Sequence, residues 1–137
     1  MAYRIRRVDY YYATVQDEPS NGYLLLSQLA ELGINLLAFT GVPIGPVRMQ
    51  LTLFPEHSQE LEDAAAKAGL RLDGPHPALL VQGDDELGAL AGVHEKLHQA
   101  NVEVSASSGV TDGAGSFGYV LYLRPTDFER AAEALGI

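Results

Sequence analysis

One segment of this chain occurs twice, and a duplication constrains the fold more than any composition figure does, because each copy must be a unit that stacks on its twin. Leu61-Glu62-Asp63-Ala64-Ala65-Ala66-Lys67-Ala68-Gly69-Leu70 matches Phe128-Glu129-Arg130-Ala131-Ala132-Glu133-Ala134-Leu135-Gly136-Ile137 at an offset of 67 residues. Upstream, an offset of 68 aligns Asp17 with Asp85, Leu25 with Val93, Leu29 with Leu97, Ile34 with Val102, Leu36 with Val104 and Gly41 with Gly109 without gaps. In both terminal segments the apolar residues fall on one helical face and a glycine follows where a helix usually stops.

Each copy reads as strand, helix, strand, strand, helix. In the first, Val8 to Val15 is rich in Tyr and Val and suits a strand. Leu25, Leu29 and Leu32 mark a helix from about Ser20, ended by Gly33, and Ile34 to Thr40 is the next strand. Gly41-Val42-Pro43-Ile44-Gly45-Pro46 reads as a turn, and Val47, Met49, Leu51 and Leu53 alternate with polar residues as a strand does. Leu70-Arg71-Leu72 reads as a short strand, and Asp73-Gly74-Pro75-His76-Pro77 as the link between copies. Helix-bearing crossovers around a hairpin give two ferredoxin-like βαββαβ units, an α+β fold expected to form one extended antiparallel sheet with helices on one face. The repeats are placed at 1–73 and 78–137, the second lacking its own fourth strand. Tyr3-Arg4-Ile5-Arg6-Arg7 is expected to extend the first strand and help close the sheet.

The 137 residues carry a net charge of −9, so nucleic acid and anionic membranes are repelled at long range. No cysteine is present, which excludes thiolate chemistry and Cys-based zinc. No signal peptide or membrane span is recognisable, and a cytoplasmic location is expected. Two motifs with catalytic echoes are read as accidental. His94-Glu95-Lys96-Leu97-His98 fits the zinc-protease pattern, but Leu90, Val93 and Leu97 form the buried stripe and no third ligand stands at a recognisable spacing. Gly113-Ala114-Gly115-Ser116-Phe117-Gly118 fits a dinucleotide fingerprint, but a strand follows it where a helix is needed, so a hairpin loop is expected. Tyr10-Tyr11-Tyr12 reads as core on one face of a strand and interface on the other.

These residues resemble the ACT domain family, small regulatory modules that bind amino acids, and the resemblance covers both halves. The family pattern is an Asp ending strand one, then x-Pro-Gly, a helix with spaced Leu, and Gly-Ile-Asn opening strand two. The first copy has Asp17-Glu18-Pro19-Ser20 and Gly33-Ile34-Asn35; the second has Asp85-Glu86-Leu87-Gly88 and Asn101-Val102-Glu103. The first departs from the pattern at Ser20 and Gly22, and the second lacks the Pro and the Gly-Ile-Asn. The resemblance implies a non-enzymatic regulatory protein that needs no cofactor or metal. It would bind a small amino acid at the strand-one to helix-one loops, with Asp17, Pro19, Ser20, Asn21, Gly22, Asn35, Asp85, Leu87 and Gly88 as the candidate residues. A helix N-terminus suits an α-carboxylate and a nearby Asp or Asn oxygen an α-ammonium, which favours the first copy for the carboxylate, since Asp84-Asp85-Glu86 crowds the second with acids. Gly88 argues for the second by allowing close approach to the backbone, and simple capping by Ser20 and Asp85 is the plain structural reading. A homodimer is expected, a partner enzyme is a further candidate, and a ligand-free interaction subunit is the alternative.

Overall fold

The computed structural model describes residues 3–16 and 21–137. Among these are six strands and four helices in an α+β fold: β1 (Tyr3–Gln16), α1 (Asn21–Glu31), β2 (Leu36–Ile44), β3 (Arg48–Pro55), α2 (Ser58–Ala68), β4 (Asp73–Asp84), α3 (Ala89–Gln99), β5 (Val104–Thr111), β6 (Ser116–Leu123) and α4 (Phe128–Leu135). The strands pair antiparallel. The chain forms two compact units, one of Asp9–His76 and the other of Met1–Val8 with Pro77–Ile137.

In the Asp9–His76 unit the strand order is β2-β3-β1-β4, with β2 at an edge. Tyr11 and Ala13 of β1 and Leu51 and Leu53 of β3 point to one face. There they meet Leu25 and Leu29 of α1 and Leu61 of α2, all 5% exposed or less. Each such Leu contributes about 1.5–3 kcal/mol by leaving water. Tyr10 and Tyr12 point to the other face, in ring contact with His76, and Tyr10 also touches Phe54. Tyr10 and Tyr11 are both buried, so the tyrosine run is core on both faces.

In the other unit the order is β1-β4-β6-β5, with β5 at an edge. Leu79, Val81, Phe117, Tyr119, Leu121 and Leu123 pack beneath Val93 and Leu97 of α3 and Phe128, Ala131 and Leu135 of α4, with Tyr3 and Ile5 of β1 against the same core. The N-terminal segment therefore does extend the first strand. Asp127 is buried ahead of α4 and held by Arg124 and Arg130, each at 2.9 Å. Both α2 and α4 end at a left-handed glycine, Gly69 and Gly136, where the duplicated sequence places their stops.

Two boundaries differ from the sequence reading. Residues 41–44, read as a turn, continue β2, and the turn falls at 45–47. Pro43 is tolerated because an edge strand has one side on which a missing N–H breaks no ladder bond. Residues 73–77, read as a link, open β4, whereas Leu70–Leu72 are not strand. The β6 ladder reaches only from Ala78 to Asp84. The stretch with Pro75 and Pro77 therefore borders β1 alone, which is again an edge position.

Candidate functional site

Where β4 ends, the chain crosses Asp85-Glu86-Leu87-Gly88 to α3, and this crossing forms one wall of a groove of about 700 Å³. Gly109, Val110 and Thr111 at the end of β5 form another wall, and Phe117 and Tyr119 of β6 the floor. The volume falls in the range of roughly 300–1,000 Å³ typical of small-molecule sites. β5 is an edge strand, and the first turn of α3, Ala89-Leu90-Ala91, also lines the groove.

The electrostatics of the groove follow from its backbone. Gly88 is the N-cap of α3 in the left-handed conformation (φ 81°) and provides no side-chain cap. Asp85 is not the cap, contrary to the plain structural reading; its N–H donates to the Gly115 carbonyl at 2.9 Å. The Ala89 N–H donates to the Glu86 carbonyl at 3.1 Å, and a helix start offers its remaining first-turn N–H groups and a partial positive charge to an anion. The exposed carboxylates of Asp85 and Glu86 stand beside it and suit a cation. A Cβ on Gly88 would meet no atom within 4 Å.

The candidate residues fall into separate groups. Asp85, Leu87 and Gly88 come together in the groove. Asp17, Pro19 and Ser20 lie outside the described residues. Asn21 opens α1, and Gly22 follows it with open space where a Cβ would stand. Asn35 is not brought to that helix start. It precedes β2 at the end where Leu36 pairs with Pro55, whereas β1 reaches the connection to α1 at Gln16, which pairs with Arg48 at the opposite end of β3. The Asn35 amide is also engaged, donating to Glu56 Oε2 at 2.8 Å.

Two groove residues escaped the sequence reading, Tyr119 and Gly109, and His94, outside the groove lining, is joined to the first of them. Tyr119 OH and His94 Nε2 are 2.6 Å apart, and the Tyr119 ring lies over Gly109, whose Cβ, were there one, would stand 2.8 Å from Tyr119 Cδ1. The alignment that pairs Gly41 with Gly109 carried this signal. Gly41 sits opposite Leu51 in β3 just as Gly109 sits opposite Tyr119 in β6.

Neither catalytic motif assembles a site. His94 is tied to Tyr119, and no three His, Cys, Asp or Glu side chains among the described residues are grouped to hold a metal. The glycine-rich segment is a β5–β6 hairpin loop: Asp112 Oδ1 accepts from the N–H groups of Ala114 at 2.7 Å and Ser116 at 3.1 Å. These two bonds hold the Asp112 carboxyl below the usual carboxylate range. No helix among the described residues is long and apolar enough to cross a membrane.

No protein-family model and no curated protein matches the sequence. Solved structures do match. Protein BT0572 from Bacteroides thetaiotaomicron is similar over 96% of this chain and 88% of its own, with a TM-score of 0.81 and 15% identity. The ligand-free regulatory subunit of aspartate kinase from Thermus thermophilus is similar over 98% of this chain and 94% of its own, with a TM-score of 0.62 and 14% identity. The corresponding subunit from Thermus flavus gives 0.60 at 15% identity, over 98% of this chain and 94% of its own. At these identities the likeness is one of fold, and it supports the ACT-like α+β fold that the motifs suggest.

Proposed function

We propose that this chain is a non-enzymatic regulatory protein of two ACT-like repeats that binds a small amino acid in the groove at the start of α3. The observation that carries the reading is the convergence, in one groove, of an uncapped helix N-terminus at Gly88 with the carboxylates of Asp85 and Glu86. An amino acid is a zwitterion with the two charges that such an arrangement complements: its carboxylate meets the N–H groups of the first turn, and its ammonium meets the acids. The acids that crowd this helix start thus become the ammonium site. The corresponding start of α1, with Asp17, Pro19, Ser20, Asn21 and Gly22, is the candidate second site.

The fold likeness to regulatory subunits of aspartate kinase agrees with a regulatory role. Binding would act by favouring one arrangement of subunits, either a homodimer or a complex with an enzyme of the cytoplasm. The second reading, a ligand-free interaction subunit, draws on the apolar residues that α1 and β2 expose, among them Tyr23, Leu24, Phe39 and Val42.

A thermal-shift screen of the twenty amino acids at millimolar concentration separates the two readings. A ligand present at about 100 times its dissociation constant stabilises the native state by about 2.7 kcal/mol, several degrees in a domain of this size. Binding predicts a response that Asp85→Ala weakens. No response to any amino acid moves the weight to the interaction subunit.

A further inference from the structure

The fold does not require a histidine or a tyrosine where the second unit has His94 and Tyr119. The internal alignment sets Leu51 opposite Tyr119 and Leu26 opposite His94. Leu51 closes the first unit's core with no polar partner, buried to 1% exposure and opposite Gly41 as Tyr119 is opposite Gly109. In the second unit the same position carries a larger ring fixed at two points. Gly109 leaves space behind the ring, and the hydroxyl is held by His94 Nε2 at 2.6 Å. A ring held in this way cannot swing aside, and it forms the groove floor together with Phe117.

Around this floor the groove is apolar except at its acidic corner. Leu87, in the β4–α3 connection, is fully exposed, and Val110, on β5, is 74% exposed; both line the groove from different elements. Among the described residues no basic side chain lines it, and Thr111 is the only hydroxyl there apart from the Tyr119 hydroxyl already joined to His94. Away from that corner, which the ligand's ammonium occupies, a ligand side chain lying on this floor finds apolar surface and no partner for a charge. Buried polar groups without partners are costly, whereas apolar contact is favourable.

We infer that the groove selects an amino acid with an apolar side chain and that Tyr119, seated on Gly109 and held by His94, sets the size of that side chain. The inference rests on the proposed amino-acid site and adds the identity of the selected class. Tyr119 is the specificity-determining contact, and His94 is a positioning residue acting through it.

The test is calorimetric titration of the full chain with valine, leucine, isoleucine, methionine, phenylalanine, serine, aspartate and lysine. It is repeated on Tyr119→Phe, which keeps the ring and loses the bond to His94, and on Tyr119→Leu, which installs the residue of the first unit. A single methylene in an apolar pocket changes affinity by roughly tenfold or more. The expected result is binding of the aliphatic series with serine, aspartate and lysine at least tenfold weaker. Tyr119→Leu should shift the preference toward phenylalanine, and Tyr119→Phe should compress the spread among the aliphatic ligands. Preferential binding of a charged or hydroxylated amino acid, or a rank order that Tyr119→Leu leaves unchanged, overturns the inference while the amino-acid site stands. Binding of none of the eight by wild type overturns it too. If the remaining amino acids of the thermal screen are also silent, the site falls with it. Circular dichroism of each variant shows that a changed rank order belongs to a folded protein.

Discussion

Arg7 of β1 and Glu129 of α4, 122 residues apart in the chain, form an ion pair at 3.0 Å. The Arg7 guanidinium also lies 5.6 Å from the centre of the Phe128 ring. These contacts, with Tyr3 and Ile5 packed against the core formed by β4, β6, α3 and α4, make the start of the chain part of the second unit. The pair itself is solvent-exposed, so Arg7→Ala should cost no more than about 1 kcal/mol. Deleting residues 1–7 strips the apolar contacts and bares a strand edge, and should cost about 2–4 kcal/mol. Urea unfolding of the two proteins checks the ranking, and equal midpoints for the deletion and wild type would contradict it.

Gly74 and Gly22 should respond in opposite directions to the same substitution. Gly74 has φ +148°, and a Cβ there would stand 2.8 Å from the Tyr10 carbonyl oxygen and 2.9 Å from the Tyr11 ring. Gly74→Ala is therefore expected to destabilise by about 2–4 kcal/mol. Gly22 is helical with open space around it, so Gly22→Ala should stabilise by about 0.5–1 kcal/mol. Thermal melts of both variants decide the matter.

Tyr11 gives the fold an alkaline limit. Its hydroxyl donates to Glu62 Oε2 at 2.8 Å. Burial first, and then this hydrogen bond, push its pKa from the ordinary 10.0 up to about 12. Because the folded-state value is the higher one, the fold favours the neutral phenol. That contribution is complete below about pH 10 and is lost as pH rises from about 10 to about 12. Tyr11→Phe should cost about 1 kcal/mol at neutral pH and remove this part of the alkaline loss. Stability measured from pH 8 to 12 on both proteins checks the sign; identical profiles would refute it.

Zinc should leave the melting temperature unchanged despite the His94-Glu95-Lys96-Leu97-His98 spacing. Nε2 of His94 is engaged by Tyr119, and a structural zinc site takes four ligands where this helix offers two histidines. A zinc-dependent rise in melting temperature, abolished by His98→Ala, would contradict this.

The sequence was most legible where one chemical rule acts alone. The left-handed stops at Gly69 and Gly136 and the strand character of Tyr10 to Val15 follow from local pattern, and both helical stripes with Leu61 and Phe128 follow from period. Residues 73–77 were misread because Gly and Pro there carry the composition of a turn. Their strand geometry depends on β1 lying alongside, a fact of topology that no local window contains. The groove was legible in part. Asp85, Leu87 and Gly88 lie consecutively enough for a motif to mark them. Gly109, Tyr119 and His94 come from three elements and meet only through strand register and a side-chain hydrogen bond. Asn35 was drawn in by a motif that is continuous in sequence but spans the length of a helix, which carries it to the far end of the unit.

The central claim is that the groove at the start of α3 binds an amino acid, and nitrogen–proton correlation spectra of the labelled chain during titration with leucine, and then with the other amino acids, test it most directly. The account predicts saturable shifts concentrated at Gly88, Ala89, Leu90, Val110 and Tyr119, with the helix start moving because its N–H groups receive the carboxylate. Spectra that no amino acid alters at millimolar concentration, or shifts confined to residues away from these elements, would contradict it.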